Sequence, residues 1–83
     1  MADTIYLSPE AHARLTEEHE HLTTVWRTDI ARKIQVAREM GDLKENGDYH
    51  AAKEEQGKME ARIRQLEATL ENSEIVDTTG SET

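Results

Sequence analysis

Ala37-Arg38-Glu39-Met40-Gly41-Asp42-Leu43-Lys44-Glu45-Asn46-Gly47-Asp48-Tyr49-His50-Ala51-Ala52-Lys53-Glu54-Glu55 is where two helical patterns meet. Upstream, Ser8-Pro9 offers an N-cap hydroxyl followed by the residue best suited to a first helical position. From there to about Met40 no Gly or further Pro interrupts the chain, and Gly41 can adopt the positive φ that ends a helix. Downstream, Tyr49, Ala52, Gln56, Met59, Ile63, Leu66 and Leu70 alternate steps of three and four, the seam of a coiled coil. Leu15, Leu22, Trp26, Ile30, Ile34 and Ala37 answer it from the first pattern. Their steps drift to four between Trp26 and Ile34 and the seam is polar near Glu18-His19, which predicts a local stutter there that Trp26 fills. Folded back at Leu43, the seams match Leu15 with Leu70, Leu22 with Ile63 or Leu66, Trp26 with Met59, Ile34 with Ala52, and Ala37 with Tyr49. The spacing therefore predicts an all-α chain, a long antiparallel two-helix coiled-coil hairpin with a short acidic tip loop. Its parts are a lead-in over 1–7, a helix over 9–40, a tip over 41–45, a helix over 45–72, and a linker-like segment over 73–83.

Composition narrows the function classes. Eighty-three residues allow one small domain, and the absence of Phe and an aromatic share of 4% leave little for a globular core. With 34% charged residues and a net charge of −8, the chain suits an elongated, solvated helical object and repels free nucleic acid. The lack of Cys removes disulfide frameworks and thiolate zinc sites. No apolar run approaches the ~18 residues of a membrane span and no signal peptide is visible, so a cytoplasmic setting is expected.

The tip supports two readings. Asp42-Leu43-Lys44-Glu45 fits a capping box, with Asp42 as N-cap and Glu45 three positions on, both carboxylates taking backbone amides. Alternatively, at least one carboxylate points outward and ligates a hard cation. Mg2+ accepts carboxylate oxygens while keeping several waters, so two protruding acids complete a site only if another molecule supplies the rest.

Charge is distributed unevenly behind the tip. Arg27, Arg32, Lys33 and Arg38 on the first helix lie across from Lys53, Lys58, Arg62 and Arg64 on the second, a basic collar suited to a phosphate chain. The plain alternative is solvated helix faces, with Glu60 and Arg64 as an i,i+4 pair. His12, His19 and His21 lack zinc-site spacing and are expected to be solvated.

The residues Gly41-Asp42-Leu43-Lys44-Glu45-Asn46, then Tyr49-His50-Ala51-Ala52-Lys53-Glu54-Glu55-Gln56-Gly57, Ala61 to Glu67 and Ile75-Val76-Asp77, resemble the bacterial transcript cleavage factors of the GreA family. Leu7-Ser8-Pro9-Glu10 is similar to that family's opening. The resemblance implies a coiled coil that enters the secondary channel of bacterial RNA polymerase and is followed by a C-terminal globular domain. It implies that Asp42 and Glu45 help hold the polymerase's second Mg2+ and a water while the polymerase cleaves its own backtracked RNA. The chain is then no enzyme itself. It implies a basic contact to the nascent RNA 3′ end, for which Arg38 and Lys53 are favoured. Lys44, Tyr49 and His50 are further candidates for RNA or polymerase contact. Thr28 stands where many members have Pro, and Gly47-Asp48 replaces a more helix-friendly pair. A monomer without membrane contact is expected. Two other classes remain beside this one: a channel-occupying inhibitor of the same shape, and a coiled-coil adaptor that dimerises through its seam.

Overall fold

The computed structural model describes residues 3–77. Ser8 begins the first helix as its sequence predicts: its Oγ accepts from the Ala11 amide at 3.1 Å, and Pro9 takes the first turn. Helix α1, Pro9–His21, passes through a π turn at Leu22–Trp26 into α2, Arg27–Glu39. Gly41 follows at φ 122°, a backbone angle that a side chain would strain. A 3-10 turn, Leu43–Glu45, leads to α3, Gly47–Glu71.

Partners between the arms run in opposite numerical order. His19 meets Glu67, Arg27 meets Glu60 and Lys33 meets Glu55. The core divides into two clusters along this seam. Leu22, Ile63 and Leu66 form one, with Leu15, Trp26 and Met59 against them. Ile30, Ile34 and Ala52 form the other, with Trp26 and Tyr49 packed on it. Ile30 at 2% exposure and Ile63 and Leu66 at 1% each are as buried as residues of a large globular core. Trp26 touches both clusters and so bridges the place where they divide. The principal extents are 65 × 27 × 14 Å.

The stutter takes a definite form, and the chain's ends differ from the sequence expectation. The seam's stutter is a π turn at Leu22–Trp26, between the polar stretch at Glu18-His19 and the run of four-residue steps, with Trp26 inside it. Thr28 lies beyond it in regular helix, its hydroxyl donating to the Thr24 carbonyl at 3.0 Å. The chain is not purely helical: β1, Ile5–Leu7, pairs in parallel with β2, Ser73–Ile75. The whole helical path between them is the crossover that a parallel pair requires. Ile75, in the segment expected to be linker-like, is thus held to Leu7, and the Val76 amide donates to the Leu7 carbonyl at 2.8 Å. The rest of the expected linker, 78–83, lies outside the described residues.

The ion-pair pattern also departs from expectation. Glu60 reaches across to Arg27, at 3.0 and 2.9 Å, rather than along its own helix to Arg64. Arg62 makes the matching two-pronged contact with Glu18, at 2.8 and 2.9 Å. His19 is half-buried with Nε2 2.9 Å from a Glu67 carboxylate oxygen, not simply solvated. These partners are adjacent because the seam brings the flanking positions of both arms together, which a single-helix i,i+4 pattern cannot show.

Candidate functional site: the loop between the arms

The loop from Met40 to Asn46 owes its shape to four side chains. Asp42 Oδ1 accepts from the Lys44 amide at 3.0 Å, closing a short side-chain turn. The Lys44 carbonyl accepts from His50 Nε2 at 3.2 Å. Asn46 Oδ1 accepts from the Tyr49 amide at 3.0 Å, which makes Asn46 the N-cap of α3. Its Nδ2 donates to the Ala37 carbonyl at the end of α2. Tyr49 packs its ring on the Ile30, Ile34 and Ala52 cluster beneath the loop. The His50 ring stands edge-on to it at 5.5 Å.

This arrangement overturns the capping box. Neither Asp42 nor Glu45 caps α3, because the 3-10 turn occupies the residues that the box would have made helical. Asn46 takes over as cap, and the helix begins at Gly47, two residues later than expected. The sequence signal was present in an Asn immediately before Gly47-Asp48, but Asp42 offered the same chemistry and a better motif match.

Asp42 and Glu45 are both exposed and share a shallow depression with Met40, Asn46, Gly47 and Asp48. They are not equivalent. Asp42 commits one oxygen to the Lys44 amide, whereas Glu45 has no hydrogen bond or ion pair among the described residues. No group of three or more His, Cys, Asp or Glu among the described residues could hold a metal ion. Two carboxylates on an exposed loop fit Mg2+ only as a minority of its ligands, the others coming from water or another molecule.

The remaining predicted contacts divide. The Arg38 guanidinium lies 6.0 Å from the Tyr49 ring centroid, so Arg38, Tyr49 and His50 form a row beside the loop. Lys44 is exposed within it. Lys53 is exposed further down α3, its ammonium donating to Gln56 at 3.1 Å. The collar is partly neutralised: Arg27 and Arg62 are held by carboxylates, and Lys33 lies 3.9 Å from Glu55. Arg32, Arg38, Lys53, Lys58 and Arg64 have no ion pair of 4.0 Å or less to a carboxylate among the described residues. Glu55 was not anticipated. It receives both Lys33 and, at 3.4 Å, the Trp26 indole N–H, so it ties the π turn to the second arm.

A slender coiled-coil domain with two exposed carboxylates, Asp42 and Glu45, on its inter-arm loop defines the class. The chain belongs to a family within that class: the family described as "Transcription elongation factor, N-terminal" matches residues 5–75. It is 57% identical to the transcription elongation factor GreA of Streptomyces coelicolor over 70 residues, 84% of this chain and 42% of that protein. It is 55% identical to GreA of Pseudomonas aeruginosa over 65 residues, 78% of this chain and 41% of that protein. Against GreA of Desulfotalea psychrophila it is 51% identical over 77 residues, 93% of this chain and 48% of that protein. The chain thus spans less than half the length of these curated relatives. No helix among the described residues is long and apolar enough to cross a membrane.

Proposed function

We propose that the chain is an antiparallel hairpin whose acidic tip enters the secondary channel of a bacterial RNA polymerase and stimulates cleavage of backtracked RNA. The observation that carries this is the pair of exposed carboxylates on the loop, with Glu45 uncommitted. An elongated rod, 65 Å long against transverse extents of 27 and 14 Å, suits reaching into a confined site. Membership of a family named for transcription elongation supplies the partner class.

In this reading the chain is not itself an enzyme. Asp42 keeps one oxygen on the Lys44 amide, which fixes the carboxylate, and presents the other outward. Glu45, which has no partner among the described residues, would join Asp42 in helping to hold the second Mg2+ and a water. Mg2+, held mainly by the polymerase, would polarise the phosphate and make that water a better nucleophile. Arg38, Lys44, Tyr49 and His50 are placed to meet the RNA 3′ end or the channel wall, and Lys53 stands behind them. The proposed setting is cytoplasmic and the chain monomeric.

The test uses a stalled polymerase complex with backtracked RNA. The protein should accelerate release of short 3′ fragments, and Asp42→Ala or Glu45→Ala should abolish that acceleration while helicity is kept. Unchanged acceleration in both variants would reject the assignment. Slowed elongation with no fragments released would instead indicate a channel-occupying inhibitor.

A further inference from the structure

One side chain touches both ends of the loop. Asn46 accepts from the Tyr49 amide in the first turn of α3 and donates to the Ala37 carbonyl in the last turn of α2. The Ala37 carbonyl also accepts from the Met40 amide at 3.1 Å, so it lies at the point where α2 ends. Ala37 is 3% exposed, which makes that carbonyl part of a rigid, packed segment. A carboxamide offers an acceptor and a donor in one planar group, and the short stem of Asn lets the same group cap its own helix. Asp42 and Glu45 lie inside the loop that this clamp closes.

We propose that Asn46 is a positioning residue. By bridging the two arms beneath the loop, it holds the backbone that presents Asp42 and Glu45 in one orientation. This rests on the reading of those acids as the acting groups. The amide bridge is separable from helix capping. Asp caps a helix as well as Asn does, but its second oxygen cannot donate and would face the Ala37 carbonyl. Ser also caps well, adds no charge, and is too short to cross to the other arm.

The experiment compares Asn46→Asp and Asn46→Ser with the unchanged protein in the backtracked-RNA assay, over a concentration series, with Asp42→Ala and Glu45→Ala alongside. Hydrogen exchange is followed at the Lys44, Glu45 and Tyr49 amides. Positioning predicts that both Asn46 variants lower maximal stimulation about ten- to a hundred-fold, as small misplacements of acting groups do. The half-saturating concentration stays the same. Exchange at Lys44 and Glu45 rises while Tyr49 stays protected. A residue that only caps the helix would leave both variants at full activity, and that result overturns the proposal. Loss in Asn46→Asp with full activity in Asn46→Ser would show a charge effect and overturn it too. A rise in half-saturating concentration at unchanged maximum would place the role in docking and would likewise overturn positioning. If Asp42→Ala and Glu45→Ala leave stimulation intact, the functional reading itself fails. If only they abolish it, the functional reading stands and the positioning role falls.

Discussion

Ile63 shows how much a slender rod depends on single side chains. It is 1% exposed and packs with Leu22 and Leu66, with only the partly buried Leu15, Trp26 and Met59 set against this cluster among the described residues. Truncation to Ala leaves a void that two arms can only partly close, for which large-to-small core substitutions cost about 2–5 kcal/mol. The Ile63→Ala protein should therefore lose most of its cooperative thermal transition by circular dichroism. Val36, at 52% exposure on the same arms, should tolerate Ala with a change within about 0.5 kcal/mol. Equal losses at both positions would mean that the seam is not where stability resides. Ala37 and Ala52 make the complementary case. Both are buried near the loop, where short side chains let the arms approach closely. Ala52→Leu should lower stability by about 1–3 kcal/mol through overpacking. These assignments were legible in the sequence because a three-four alternation specifies which side of a helix is buried. The cap of α3 was not, since Asp42 and Asn46 have equal chemical claims and only the course of the 3-10 turn decides between them.

The π turn has a reason visible in the numbering of its own seam. From Leu22 to Ala37 is one residue more than two heptads, so a regular helix would rotate Ala37 off the face that meets α3. Five residues in a wider turn take up the excess, and Leu22 and Ala37 are both buried. Thr23 and Thr24 donate their hydroxyls to the carbonyls of His19 and Glu20, at 2.9 and 2.6 Å, giving the distorted segment additional partners. Deleting Val25, which is 51% exposed, should restore regular helix while every seam residue keeps its face. The deletion variant should keep its helicity, melt at the same temperature or higher, and retain any activity of the loop. A clear drop in melting temperature would show that the widened turn stabilises the arm in its own right, through Glu55 and the Trp26 indole. The sequence pointed to a stutter around Trp26 but not to its form, because steps of four do not tell a widened turn from a gradual drift of the seam. The strands at the base were hidden for a different reason. Each has three residues, too few for a period, and their pairing joins positions 5 and 73.

At the scale of the molecule, the Cα radius of gyration is 18.1 Å, against about 12 Å for a compact domain of this length. An elongated shape buries little, so charge pairs between the arms weigh more against the small apolar total than in a globule. Two such pairs are two-pronged, Glu18 with Arg62 and Glu60 with Arg27. The Arg62 hydrogen bonds hold the Glu18 carboxyl below the usual carboxylate range against a smaller opposing effect of burial. Arg27 does the same for Glu60. A carboxyl whose pKa is lower in the folded than in the unfolded state binds protons more readily when unfolded. Its contribution is complete above the ordinary carboxylate pKa and is lost as pH falls through that range to the depressed folded value. A second effect runs the other way, since acid also neutralises the chain's excess of carboxylates and relieves their repulsion at a net charge of −8. The two separate in a comparison between proteins. Replacing Glu18 and Glu60 together by Gln removes the linkage at the two pairs and leaves the other carboxylates titrating. Between pH 7 and pH 3, the melting temperature of the unchanged protein should fall toward that of the double variant, and the gap should narrow most below pH 5. A gap that stays constant to pH 3 would mean that these pairs are screened surface contacts with no part in holding the arms together.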